Sequence, residues 1–251
     1  MSRANKTPVR LWAVALWLLA WQGAAMLVGQ DFLLAPPLTS LLRFLELART
    51  AQFWGSALFS LARILGGFLL GLSFAALTAA LSALFRRVRE AIAPLILVLR
   101  AIPVASFVVV ALIWMPSRNL SVLISFLIVY PLLYGAILDE IGRADPRMLE
   151  MARLFRMPRR RRLAYIYFLP ALTNLEASCA AAMGVAWKSG VAAELISIPA
   201  GSIGEKLYKA KVYLMTGDLF AWTLLIVLLS ALCARLFTAL MRRVRICLEG
   251  V

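Results

Sequence analysis

The chain has 251 residues, of which 63% are hydrophobic and only 16% charged, with a mean hydropathy of +0.88. Globular chains carry about 45–50% apolar residues, so this composition marks an integral membrane protein. Its 27 Lys and Arg outweigh 12 Asp and Glu to give a formal charge of +15, which so apolar a chain must hold in its loops.

Several functions are disfavoured at once. With no histidine, the commonest general base is missing, as is imidazole ligation of zinc, copper or haem iron. Cys179, Cys233 and Cys247 lack C-x-x-C spacing, so they read as small buried hydrophobes rather than a disulfide framework or a zinc site. No G-x-x-x-x-G-K-[ST] occurs, so no cofactor is expected on a nucleotide loop of this chain. The basic excess suits anionic lipid headgroups or an acidic partner protein better than nucleic acid.

A spanning helix needs about 20 mostly apolar residues. Taken in chain order, Leu11 to Gln30 is the first such run; it is too long for a signal-peptide core and lacks an A-x-A cleavage pattern. Next, Pro36-Pro37 breaks the chain, and Leu38, Leu41, Leu42, Leu45 and Ala48 form an apolar stripe opposite Thr39, Arg43, Glu46 and Arg49. This predicts an amphipathic interfacial helix over 36–54, with Phe53 and Trp54 as aromatic anchors for the next span. Further spans follow at Ile64 to Phe85, Ala91 to Met115 interrupted by Arg100, Leu120 to Leu138, Leu172 to Ala193 and Leu219 to Met241. The expectation is an all-α, polytopic membrane domain over 1–251 with six transmembrane helices.

Short cytoplasmic loops hold the basic excess. With the N-terminus inside, the inner segments carry Arg3, Lys6 and Arg10, then Arg86, Arg87 and Arg89, eight residues between Arg143 and Arg162, and Arg242, Arg243 and Arg245. The outer segments carry only Arg43, Arg49, Arg118, Lys206, Lys209 and Lys211. Both termini are therefore expected to be cytoplasmic.

Residues 139–171 form the largest inner segment. Asp145 as N-cap and Pro146 at the first helical position start a helix. Met148, Met151, Ala152 and Phe155 give it an apolar stripe, and Pro158 ends it. A second helix is expected to restart near Arg160. From the residues alone this helix-turn-helix suits a lipid-facing element held by Arg159 to Arg162 and a docking surface equally well.

Glu150-Met151-Ala152, followed by Ile166 and Leu169-Pro170, resembles the EAA loop of ABC transporter permeases. Three further stretches extend the likeness: Ser60-Leu61-Ala62-Arg63-Ile64-Leu65-Gly66-Gly67-Phe68, Ala101-Ile102-Pro103-Val104, and Ala186-Trp187-Lys188-Ser189-Gly190-Val191-Ala192-Ala193-Glu194. The last is similar to a segment of the nitrate/sulfonate/taurine branch. Two departures stand out: Arg156 holds the place of the family's glycine, and one extra residue separates Ile166 from Pro170. The resemblance implies a type I importer permease fold and a coupling helix seated on a separate ABC ATPase subunit. Glu150, Met151, Ala152, Phe155, Arg156 and Pro158 would make that contact, with ATP and Mg on the ATPase and no cofactor on this chain. It further implies an extracytoplasmic solute-binding protein as partner. A homodimer is expected, because six spans are few for a central path.

Ionisable groups inside spans are costly and often functional. Arg100 and Lys188 suit a path for an anion such as a sulfonate or carboxylate. Equally, Arg100 suits bonding to broken-helix carbonyls near Pro103, and Lys188 suits reaching the interface. Glu194, six residues beyond Lys188, falls about 240° round the helix from it and is placed with this path at the outer end. Glu176, Arg63 and Arg235 read as interfacial. Gly66, Gly67 and Gly71 suit close helix packing. The stretch from Ile198 to Lys206 reads as an outer loop, open to contact with a binding protein or to solvent alone. An ion-driven secondary transporter is the alternative, weakened by the lack of paired broken spans around a buried carboxylate. A membrane-embedded enzyme is disfavoured by the missing histidine and acidic clusters.

Overall fold

The computed structural model describes residues 11–30, 33–143, 146–158 and 169–249. Asp145, Arg159 to Arg162 and Ile166, together with the helix restart near Arg160, lie outside them. The described residues are helical, with no strand among them. In chain order they form α1 (Leu11–Val28), α2 (Pro37–Ala48), α3 (Ala51–Leu84), α4 (Arg86–Ala101), α5 (Val104–Ala111), α6 (Ser117–Gly142), α7 (Pro146–Leu154), α8 (Leu169–Ser197), α9 (Ile203–Val212) and α10 (Thr216–Glu249).

Among the described residues, four helices, α3, α6, α8 and α10, are long and apolar enough to cross a membrane, and the chain is a multi-pass membrane protein. The third apolar run is not one straight helix. It breaks at Ile102-Pro103 into α4 and α5, bent by 100°, because proline has no N–H to give and restricts the residue before it. Other boundaries also move. α3 begins at Ala51, thirteen residues before the uncharged run in the sequence, and encloses Arg63. The interfacial helix ends at Ala48, and Thr50 caps α3 by accepting from the Phe53 amide at 3.3 Å.

Phe53 is therefore not an interfacial anchor. It is buried, with its ring 5.6 Å from that of Phe44 and 4.7 Å from that of Trp222. Trp54 points outward and donates its indole N–H to the Ala48 carbonyl at 2.8 Å, which pins the α2–α3 corner. Arg43 of α2 bridges to Asp218 at 2.6 Å, so the corner is also tied to the start of α10. Of the cysteines, Cys179 is buried but Cys247 is exposed, so the expectation of three buried thiols fails at Cys247.

α6 is the central helix, with α3 on one side and α8 on the other, and α10 packs outside α8. Small residues set this spacing. A Cβ on Gly67 would lie 2.4 Å from the Val122 carbonyl oxygen and 2.7 Å from Ser125 Cβ, and one on Gly71 would lie 2.9 Å from Val129 Cγ1. Gly190 does the same for α8, where a Cβ would come within 2.7 Å of Ile64 and 2.8 Å of Ser125 Oγ. Gly66 has no such neighbour, so two of the three glycines expected to serve packing do so. α1 stands at the edge, touching α10 through Trp21, whose ring lies 5.0 Å from that of Phe220.

Replacing Gly67 by Ala drives a methyl into backbone and should lower stability by about 1–3 kcal/mol. Gly66→Ala, open on every side, should leave it unchanged. Thermal unfolding of the purified chain in detergent measures both, and equal effects would refute the packing assignment.

Candidate functional site

α7 follows α6 after a short link and presents an apolar surface outward. Met148, Met151 and Phe155 recur at helical spacing, and Met151 and Phe155 are 57% and 77% exposed. Ala152, at the edge of the same stripe, is buried, while the larger Met148, Met151 and Phe155 stay exposed. Glu150 is exposed beside them. Exposed Met and Phe side chains on a short rigid helix are what a pocket on a partner would take up.

The end of α7 is set by Arg156. Its φ of 48° is left-handed, and the Met157 amide donates across it to the Ala152 carbonyl at 2.9 Å. That is the reverse turn with which helices often terminate, usually built on glycine. The turn is made here with arginine in the conformation glycine favours. Pro158 comes two residues later, beyond the turn.

Glu194, in the last turn of α8, is fully buried. Ser60 of α3 donates its hydroxyl to Glu194 Oε2 at 2.6 Å, and the Gly204 amide of α9 donates to the same oxygen at 3.3 Å. The Ile203 amide in turn donates to Ser60 Oγ at 3.0 Å. Ser202 caps α9 by accepting from the Glu205 amide at 3.0 Å. The carboxylate thus lies against the positive end of α9, and the first amides of that helix are taken up by α3, by α8 and by its own cap. Oε1 and Ser121 Oγ, both buried, lie near each other without a well-formed hydrogen bond. A Cβ on Gly204 would come within 2.4 Å of Glu194, so only glycine allows this approach. The expectation of Glu194 along an open path gives way to a carboxylate at a helix junction.

The expected outer loop from Ile198 to Lys206 runs into a helix, α9, at Ile203. Its start signal was present in the sequence as Ser202 with Glu205 three residues on, a capping pattern. Glu205 accepts from the Gly201 amide at 2.7 Å and pairs with Lys209 at 2.6 Å. The Lys209 hydrogen bond holds the Glu205 carboxyl below its ordinary range. This contribution is complete above the unfolded carboxyl value and is lost as pH falls through the lower folded one.

The two cationic candidates part company. Arg100, at the end of α4, donates to the Pro131 carbonyl in α6 at 2.9 Å, and a Cβ on Gly135 would strike its guanidinium at 2.6 Å. It ties the broken pair to α6 through a backbone oxygen, next to a glycine that leaves it room. Lys188 is exposed on α8, on a different face from buried Glu194. Glu176 and Arg63 are not simple interfacial charges. Glu176 joins α8 to the end of α10 through Arg242 at 3.0 Å and Arg245 at 3.5 Å. Arg63, well inside α3, donates its Nε–H to the Arg118 carbonyl at the start of α6.

Two substitutions test these junctions. Arg156→Gly removes a left-handed non-glycine and should stabilise the α7 end by about 1 kcal/mol, read as slower proteolytic cleavage at 155–158. Glu194→Ala strands the Gly204 amide and should cost about 3 kcal/mol. Hydrogen exchange should then speed up in the first turn of α9, and unchanged protection there would reject the junction.

No protein-family model matches the chain. It is 25% identical over 190 residues to a protein of Bacillus subtilis named as an aliphatic sulfonates transport permease, covering 75% of this chain and 68% of that one. It is 26% identical over 228 residues to a protein of Brucella melitensis named as an ABC transporter permease, covering 90% and 89% of the two chains. A Brucella abortus protein of the same description matches at 26% over 228 residues, covering 90% of this chain and 88% of its own length. With spans of this length and a likeness running through most of the sequence, the chain is similar to proteins named as ABC transporter permeases.

Proposed function

We propose that the chain is the membrane subunit of an ATP-driven importer. It crosses the membrane six times with both termini in the cytoplasm, counting α1 and the bent α4–α5 pair as crossings. A second copy completes the path, an extracytoplasmic protein delivers the solute, and a separate ATPase subunit binds ATP and Mg. The observation that supports this reading best is the exposed Met148, Met151 and Phe155 stripe on α7, between the long helices α6 and α8. Glu150 and Arg156 would sit at the rim of that contact and fix its register. A helix held by tight turns moves as a rigid body, so ATP-driven closure of the ATPase pair would rock the attached spans.

The solute is proposed to be a small organic anion. The Bacillus subtilis relative is named for aliphatic sulfonates, and the spans of this chain carry cations at Arg63, Arg100 and Lys188. A carrier driven by an ion gradient would be self-sufficient, and its uptake would not depend on nucleotide.

The test is co-purification of an ATPase subunit with the tagged chain, followed by ATP-dependent uptake into proteoliposomes. Phe155→Ala should weaken ATPase docking by about 2 kcal/mol or more while leaving the thermal transition of the isolated chain in place. Full ATPase association in both Phe155→Ala and Met151→Asp, or uptake that follows an ion gradient without ATP, would overturn the reading.

A further inference from the structure

Three of the cations set within apolar helices have an evident place. Arg63 and Arg100 donate to the backbone carbonyls of Arg118 and Pro131. Arg235 stands about 28 Å along α10 from Thr216, near the far edge of a hydrocarbon layer roughly 30 Å thick. Lys188 has no such place. It is exposed on α8, and among the described residues it has no hydrogen bond or ion pair. Within the apolar stretch Leu175–Ser197 it lies about 20 Å from one end and about 14 Å from the other. Helical side chains lean toward the amino end, so Lys188 leans away from the nearer edge, and its four-carbon stem carries the ammonium to neither interface. An unpaired ammonium held against hydrocarbon is costly, so the face that bears it does not meet lipid.

The residues around Lys188 agree with this. Ala177, Ala181, Gly184 and Ala192 lie within about 40° of it round the helix. Ala177 and Ala181 are exposed, and nothing stands within 4 Å of where a Cβ on Gly184 would be. The outward faces of α3 and α10 are built differently. Leu70, Phe74 and Leu77 on α3 are exposed, as are Val227, Leu228 and Leu232 on α10. Large apolar side chains suit acyl chains, whereas small ones around a charge leave room for water.

We infer that the free face of α8 is one wall of a water-filled cavity, closed on its far side by the same face of a second copy of the chain, with Lys188 as the charge of that wall. A two-fold arrangement sets each face against its own equivalent. Lys188 then looks toward Lys188 of the other copy, and two ammoniums without water between them repel too strongly for a dry seam. α3 and α10 are the lipid sides. The inference rests on the second copy proposed above and adds which face it meets and what separates the two.

The test places single cysteines in the full chain, in membranes of the cells that make it, on a background of Cys179→Ala, Cys233→Ala and Cys247→Ser. Charged methanethiosulfonates modify a thiolate in water and not a thiol in hydrocarbon. Lys188→Cys, Ala181→Cys and Ala192→Cys should each react at least about tenfold faster than Leu228→Cys, which lies about 18 Å from the end of α10 that α9 joins to α8. In Ala192→Cys, Lys188 remains one turn away. There an anionic reagent should outpace a cationic one about fivefold, relative to their rates with free cysteine, and adding Lys188→Gln should remove the difference. A dimaleimide should join two Ala181→Cys chains and leave Leu228→Cys chains single. Modification of Lys188→Cys and Ala192→Cys no faster than Leu228→Cys would overturn the water-filled wall. Joining through position 228 in place of 181 would put the second copy on α10 and overturn the arrangement. Neither outcome touches the co-purification of an ATPase subunit, which decides the transport reading separately.

Discussion

Most of the arrangement at one end of the bundle depends on a single buried carboxylate. A carboxyl group without water is held only where hydrogen bonds and fixed dipoles replace the solvent. Glu194 has both, from the Ser60 hydroxyl and from the amino end of α9. The chain turns through Ile198, Pro199 and Gly201 before α9 starts, and two of these residues, Ile198 and Gly201, have left-handed backbones with φ of 46° and 83°. A β-branched residue is rarely tolerated there. The carboxylate, placed by α8 and bonded to α9, closes this turn from the inside and fixes α9 to α3 as well as to the helix that precedes it.

Backbone contact does comparable work along the middle of the bundle. Where Gly67 and Gly71 face Val122, Ser125 and Val129, α3 and α6 approach to within the reach of main-chain atoms. Packing of this kind suits a membrane interior, where apolar side chains gain little by leaving lipid for one another. Along the same face an aromatic series continues, with the rings of Phe74 and Phe126 5.5 Å apart and those of Phe126 and Tyr130 5.9 Å apart. Tyr134 finishes it by donating to Ser82 at 3.0 Å. Arg100 fits at the neighbouring edge because Gly135 leaves space beside the Pro131 carbonyl.

The class of fold was legible because apolar runs of spanning length follow from composition alone. What stayed hidden depended on contacts made across the chain. Arg63 interrupts the uncharged run of the second span, so charge counting placed its start too late; the helix tolerates it because a backbone oxygen from α6 and an aromatic face receive it. The angle of about 240° between Lys188 and Glu194 says that the two face different ways but not what stands against Glu194. Ser60, which decides the matter, lies 134 residues away. At Arg156 the sequence lacks the glycine such a turn usually carries, and the turn forms all the same with φ of 48°. α9 was within reach: its cap residues Ser202 and Glu205 were in plain view, but the turn residues around them and the lysines that follow suggested a loop.

The 34 residues each of α3 and α10 carry a mechanical consequence. At 1.5 Å per residue each rod is about 51 Å long, and even at a 40° tilt it covers about 39 Å along the bilayer normal, beyond the roughly 30 Å of hydrocarbon. Both must therefore overhang the hydrocarbon layer. Arg43, reaching from α2 to Asp218, joins the leading ends of the two overhangs into a frame. Unbroken helices transmit displacement along their axes with little bending, so a push at the end bearing α7 would reach this frame as a tilt of the rods. The α4–α5 pair, bent by 100° at Pro103, carries no displacement straight across in that way.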